Sequence, residues 1–140
     1  MSMPYTLHHH GAVDGVTGSC HQLLLADGRS ILVDCGLFQG AETSADGGAA
    51  GQPEIGFPVA DIQALVITHV HIDHVGRIPH LLAAGFRGPI ICSEASAILQ
   101  PLVLEDALKV GFSRDDSLIR RFVGEIRKQL IPLPYQQWLQ

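Results

Sequence analysis

The 140-residue chain has few cysteines and none in a metal-binding spacing: Cys20, Cys35 and Cys92 are odd in number, far apart, and form no CxxC pair. That excludes a disulfide framework and a cysteine zinc site. Each thiol sits in an apolar stretch and reads as a small buried hydrophobe. No apolar run approaches the roughly 18–20 residues that span a bilayer; the longest, around Ala64–Thr68, is strand-sized. The opening MSMPYTLHHHGAV lacks the basic start and apolar core of a signal peptide. Basic residues are scarce, nine against fourteen acidic for a net charge of −5, which argues against a general polyanion coat. Charged residues make up only 16% beside 46% hydrophobic, so the composition is not that of a disordered chain. No internal repeat is present. These absences leave a reduced, cytoplasmic protein with no membrane partner, of a length that suits one domain.

Fifteen glycines and eight prolines punctuate what remains. Tyr5–His10 reads as an opening strand ended by Gly11, followed by a glycine-rich turn to Ser19. Cys20–Ala26 and Ser30–Asp34 read as strands joined by Asp27-Gly28, a dipeptide suited to a tight hairpin. Gly40–Pro58, small, polar and rich in Gly and Pro, is expected to be a long surface loop. Ile62–Thr68 is a β-branched run of the kind buried on both faces, and Pro89–Cys92 another. Ile78–Ala84 reads as a short helix closed by Gly85. Ser93 can cap a further helix that Pro101 is expected to kink or divide. A last helix, about Asp115–Leu130, has one apolar face made by Leu118, Ile119, Phe122, Val123, Ile126 and Leu130, and Ile131–Pro134 is expected to end it. Strands first, then helix alternating with strand, imply an α/β layered fold.

Histidine is the residue in excess, eight of 140, mostly in two clusters. His69-Val70-His71-Ile72-Asp73-His74 directly follows the Ile62–Thr68 strand and directly precedes Gly76 and a helix. A single histidine in such a place is ordinarily satisfied by hydrogen bonds. Three with an aspartate within six residues make a metal-ligand set, because imidazole and carboxylate suit zinc and its borderline neighbours. In an extended exit from a strand, side chains two apart point the same way, so His69 and His71 can reach one ion together. Asp73 and His74, at the turn into the helix, can reach a second ion beside it. Two such ions form a clamp for hydrolysing phosphate or acyl esters at neutral pH.

The HVHIDH run with Gly76 resembles the signature of the metallo-β-lactamase superfamily. Gly11-Ala12, Val16–His21 and Val33–Gly40, then Gly76–His80 and Gly85–Ile91, are similar to β-CASP-type RNA-processing nucleases. The chain departs from that group at Gly15, where many members carry an acidic residue, and in the Gly40–Pro58 loop. The resemblance implies the N-terminal half of an αββα sandwich, a mixed sheet with helices on one face. It implies two divalent ions in the complete enzyme, zinc before other metals, bound by His69, His71, Asp73 and His74. It gives Asp34, at the end of its strand, the role of supporting those ligands from behind. It makes Asp73 the catalytic residue, orienting the attacking hydroxide as well as binding metal, and RNA the partner.

Members of the family complete the site with a later histidine, a bridging aspartate and a last histidine. No histidine follows His80, and the acidic residues beyond it fall in helical patterns. Residues 1–140 therefore read as one partial domain, without the β-CASP insert or the second half of the sandwich. Metal occupancy is expected to be weak or absent in this chain alone, and RNA cleavage to be absent with it. Uncovered apolar faces favour a homodimer or strand exchange. Two other readings share the motif: a non-catalytic half-domain that dimerises or binds a partner, and a thioesterase of the glyoxalase II type.

Overall fold

A computed structural model describes residues 4–40, 55–111 and 113–140. Six strands form one mixed sheet in the order β1-β2-β3-β4-β5-β6: β1 Tyr5–Gly11, β2 Cys20–Leu25, β3 Ser30–Val33, β4 Ile62–Val66, β5 Ile90–Ser93 and β6 Leu130–Leu133. The first three strands pair antiparallel, and β3 through β6 pair parallel. Among the described residues four helices punctuate the parallel half: α1 Ile72–Val75, α2 Ile78–Ala83, α3 Glu94–Gly111 and α4 Asp116–Gln129. Most of the long loop expected over Gly40–Pro58, residues 41–54, lies outside the described residues.

The local signals act as their chemistry requires. Gly28 takes φ +86° in the β2–β3 hairpin, and Gly85 takes φ +109° just beyond α2. Ser93 Oγ accepts from the Ser96 amide at 3.2 Å at the start of α3. Asp115 caps α4 by accepting from the Ser117 and Leu118 amides; hydrogen bonding from the Ser117 side chain, and then from these amides, holds its carboxyl below the ordinary carboxylate value.

Of the two proline expectations, the end of α4 before Ile131–Pro134 is met and the division at Pro101 is not. Pro101 does not divide its helix, because α3 runs unbroken from Glu94 to Gly111. A proline removes one backbone bond, while Ser96, Gln100, Leu104 and Leu108 bury the same helix on both sides of it. The Leu130–Pro134 stretch does more than end α4, because Leu130–Leu133 forms β6, parallel to β5. Proline is tolerated on an edge strand, where one side of the backbone needs no ladder partner, and Pro132 lies on that edge.

The register separates two sheet faces. Leu32, Leu65, Ile90 and Leu130 are aligned across β3 to β6, and the first three are fully buried. They share one core with Val75, Ile78, Leu81, Leu104 and Ile126, so residues of all four helices meet this face. Burial of each large aliphatic side chain there contributes about 1.5–3 kcal/mol. Val33, Val66, Ile91 and Ile131 align on the opposite face and stay half-buried. Helices thus cover one side of the mixed sheet, as the sequence implies.

Candidate metal centre

The site is assembled at the carboxyl ends of β3 and β4, strands interior to the sheet, so it lies at the sheet's end rather than on a lateral edge. Asp34 follows β3 with φ +59°, a left-handed conformation that aspartate tolerates better than most residues. Its carboxylate is 1% exposed and collects donors from three segments distant in sequence. Oδ1 accepts from the Thr68 amide at 2.8 Å and Oδ2 from Ser19 Oγ at 3.0 Å. Thr68 Oγ1 lies 2.8 Å and His74 Nδ1 2.7 Å from the same Oδ2. The exit of β4, the entry of β2 and helix α1 are thereby fixed to one buried anion.

Backbone bonds hold the motif against the segment after β3. The Leu37, Cys35 and Ser19 amides donate to Ile72 O, His74 O and Asp73 O, at 3.0, 2.8 and 2.9 Å. Gly36 is required by this approach, since a Cβ there would lie 1.6 Å from Asp73 O. Arg77 is buried beneath the loop. Its Nε donates to Gly36 O, its Nη2 lies 3.5 Å from Gly18 O, and the guanidinium stacks 4.9 Å from the Phe38 ring centre. Cys20 and Cys35 are both buried close by. A hydrogen bond between them lowers the Cys20 thiol from its ordinary pKa, while the same partner and full burial push Cys35 up.

His69 and His71 lie in the loop after β4, and Asp73 and His74 in the single turn of α1. The ring of His69 is centred 4.7 Å from that of His71 and 4.0 Å from that of His74. His74 Nε2 lies 3.6 Å from Asp73 Oδ2. The partners assign the protons. A carboxylate can only accept, so His74 Nδ1 donates to Asp34, and in the neutral imidazole this leaves the lone pair on Nε2. The Thr68 hydroxyl donates to Asp34 and accepts from His69 Nδ1 at 3.1 Å, which bares His69 Nε2 as well. Fixing one ring nitrogen to present the other is how metal-binding histidines are oriented.

The ring of His69 contacts those of both His71 and His74, and His74 lies beside Asp73. Among the described residues no group of three or more His, Cys, Asp or Glu side chains is arranged to hold one ion. Chemically the set fits two adjacent borderline cations, each supplied with part of its shell. An open cleft of about 320 Å³ at the ends of β4, β5 and β6 adjoins the motif through Thr68 and includes Ser93 and Tyr135. A larger cavity of about 520 Å³, lined by Leu82, Arg87, Phe122 and Gln129, contains no residue of the motif.

Residues 15–137 match the family model described as the metallo-beta-lactamase superfamily. The chain belongs to that superfamily. Among superfamily relatives, a ribonuclease of Thermus thermophilus is 44% identical over 133 residues, which is 92% of this chain and 28% of that protein. The transcription termination factor FttA of Cenarchaeum symbiosum is 36% identical, over 89% of this chain and 19% of the factor. A cleavage and polyadenylation specificity factor subunit of Arabidopsis thaliana is 28% identical, over 93% of this chain and 22% of the subunit. The chain thus spans less than a third of the length of each of these relatives. Their names agree with the resemblance to RNA-processing enzymes carried by the sequence.

Sequence reasoning placed His69, His71, Asp73, His74 and Asp34, and the structure brings them together. It missed Thr68, Ser19 and Arg77 as members of the site. Thr68 had been assigned to the strand itself, which ends at Val66. Arg77 closely follows the run in sequence, which was the available signal, whereas Ser19 is far from it and reaches Asp34 only through the fold. Among the described residues no helix is long and apolar enough to cross a membrane.

Proposed function

We propose that this chain is the ligand-bearing first part of a metal-dependent hydrolase that cleaves RNA phosphodiesters with two divalent ions, zinc before others. What supports the reading is the clustering of His69, His71, Asp73 and His74 around one loop, with buried Asp34 bonded to His74, in a superfamily whose members generally bind divalent metal. The ribonuclease relative supplies the substrate class.

In this reading the bound ions lower the pKa of water toward about 7 and stabilise charge developing on the reacting phosphate. The chain's residues set the geometry. His69 and His71 present imidazole nitrogens to one position, while His74 Nε2 and an Asp73 oxygen present donors to the next. Asp34 keeps the proton on His74 Nδ1, so that Nε2 stays a ligand. Asp73 also orients the attacking oxygen, and the cleft beside Thr68 receives the strand. With part of each shell missing, neither ion is held rigidly and positioning fails together with charge stabilisation.

The test compares the 140-residue chain with a longer version carrying the later ligands, on labelled single-stranded RNA with zinc or manganese. The short chain is expected to be inactive and the longer one to cleave. Cleavage by the short chain that is lost in Asp73→Ala would overturn the incomplete-site reading. Turnover of a thioester in place of RNA by the longer chain would overturn the nuclease assignment.

The half-buried row Val33, Val66, Ile91 and Ile131 favours one second reading, a non-catalytic half-domain that covers this face with a second copy. Sedimentation of the 140-residue chain separates them: a concentration-independent monomer excludes the second copy.

A further inference from the structure

Away from the HVHIDH loop, another pair of imidazoles is brought into contact. His9 and His21 are directly opposed in the β1–β2 register. Their rings meet edge to face, with centres 4.9 Å apart, and their Nδ1 atoms are 2.8 Å apart. Both side chains project from the sheet face opposite the helices, His9 exposed and His21 half-buried.

Two nitrogens at 2.8 Å can share a proton in a simple hydrogen bond. The same spacing suits two ligands in cis positions on one ion. Nitrogens about 2.0–2.1 Å from a metal and about 90° apart lie about 2.8–3.0 Å from each other, whereas a tetrahedral angle separates them by about 3.3–3.4 Å. The pair therefore matches a tetragonal ion better than zinc.

We propose that His9 and His21 form a bidentate site for a divalent ion of tetragonal preference, copper(II) or nickel(II), separate from the superfamily's metal centre. Water completes the shell beside exposed His9, on the edge strand β1. Burial, reinforced by the neighbouring His9, lowers the pKa of His21 from its ordinary value, so this imidazole is neutral and free to ligate at pH 7. The adjacent histidines are differently engaged. His8 and His10 point to the other face with ring centres 6.4 Å apart. His10 stacks on Phe57 at 3.9 Å and its Nε2 lies 2.9 Å from the Gln22 amide oxygen. Only the folded register opposes His9 and His21, so an ion held there stabilises the folded chain and fastens edge strand β1 to β2.

The test is copper(II) titration of the whole chain and of a His69→Ala/His71→Ala/His74→Ala variant that lacks the loop imidazoles. Calorimetry gives the stoichiometry, and electron paramagnetic resonance counts the equatorial nitrogens. The expected result is one copper per chain in the variant, with two imidazole nitrogens and a raised melting temperature. His9→Ala or His21→Ala in that variant should weaken this binding by more than the roughly 10–100-fold that loss of a mere supporting partner costs. His8→Ala should leave it unchanged. Copper binding by the variant without the loop imidazoles that survives His9→Ala, in a chain still folded by circular dichroism, would overturn the proposal. So would binding lost in His8→Ala.

Discussion

Replacing Asp34 measures how much of the site rests on one buried carboxylate. Asp34→Asn keeps the size and tolerates the φ of +59°, but leaves one oxygen where the native side chain has two. The amide cannot accept from Ser19, Thr68 and His74 together. Thr68 and His74 reach solvent and can rehydrate, whereas Ser19 is 6% exposed and cannot. A buried donor left unpaired costs about 1–3 kcal/mol, and a hydrogen bond to a charged group is worth about 1.5–3 kcal/mol. The amide variant should therefore lose about 2–3 kcal/mol. Asp34→Ala removes every acceptor and adds about 1–2 kcal/mol for a left-handed residue with no side chain able to bond locally, for a total of about 4 kcal/mol. Urea unfolding followed by circular dichroism reads both numbers. Metal uptake in the longer chain should fall by about 10–100-fold in Asp34→Asn, because His74 is no longer oriented. An amide variant within 0.5 kcal/mol of the parent on the order of measurement error, or an alanine variant no worse than the amide one, would refute Asp34 as the hub.

Gly36→Ala should be among the most disruptive small substitutions, since its Cβ would have to displace the Asp73 carbonyl. A loss of about 3 kcal/mol is expected by urea unfolding, with metal uptake lost alongside. His69→Ala/His71→Ala should abolish whatever zinc or manganese the 140-residue chain takes up and leave the circular dichroism spectrum unchanged, because those rings sit in a loop outside the core. A stoichiometric two-metal site in the short chain, seen by calorimetry, would contradict the incomplete-site reading. Asp115→Ala should destabilise at neutral pH and lose its effect in acid. The folded carboxyl is held below the ordinary value by the Ser117 and Leu118 hydrogen bonds, so its contribution is full above the unfolded pKa of about 3.9 and fades as pH falls through the lower, folded one. Thermal melts of both chains across that range check this sign.

Much of the site was legible because its chemistry is concentrated in sequence. Three histidines and an aspartate within six residues announce a ligand set before any fold is known. The hairpin at Gly28 and the stop at Gly85 were readable because each position requires a backbone conformation that glycine supplies. Ser19 and Thr68 were not readable as ligand supports. They converge on Asp34 from 15 and 34 positions away, and only strand register creates that convergence. The proline segments were readable only in part, for a related reason. Pro101 and Pro132 carry strong local preferences, which were outweighed by burial of α3 on both sides in one case and by an edge position in the other.

The bonds that fasten the HVHIDH loop bear on what a metal ion would find on arrival. Asp34, the three backbone contacts to residues 72–74 and the close approach of Gly36 set the imidazoles before any ion binds. An ion therefore has little chain left to immobilise, and ligand number sets its affinity more than loop ordering does. Each further donor brought in on the same polypeptide would act at the high effective concentration of an intramolecular ligand. Occupancy should then rise steeply, in a few large steps, as successive ligands are added to the incomplete site rather than in proportion to chain length.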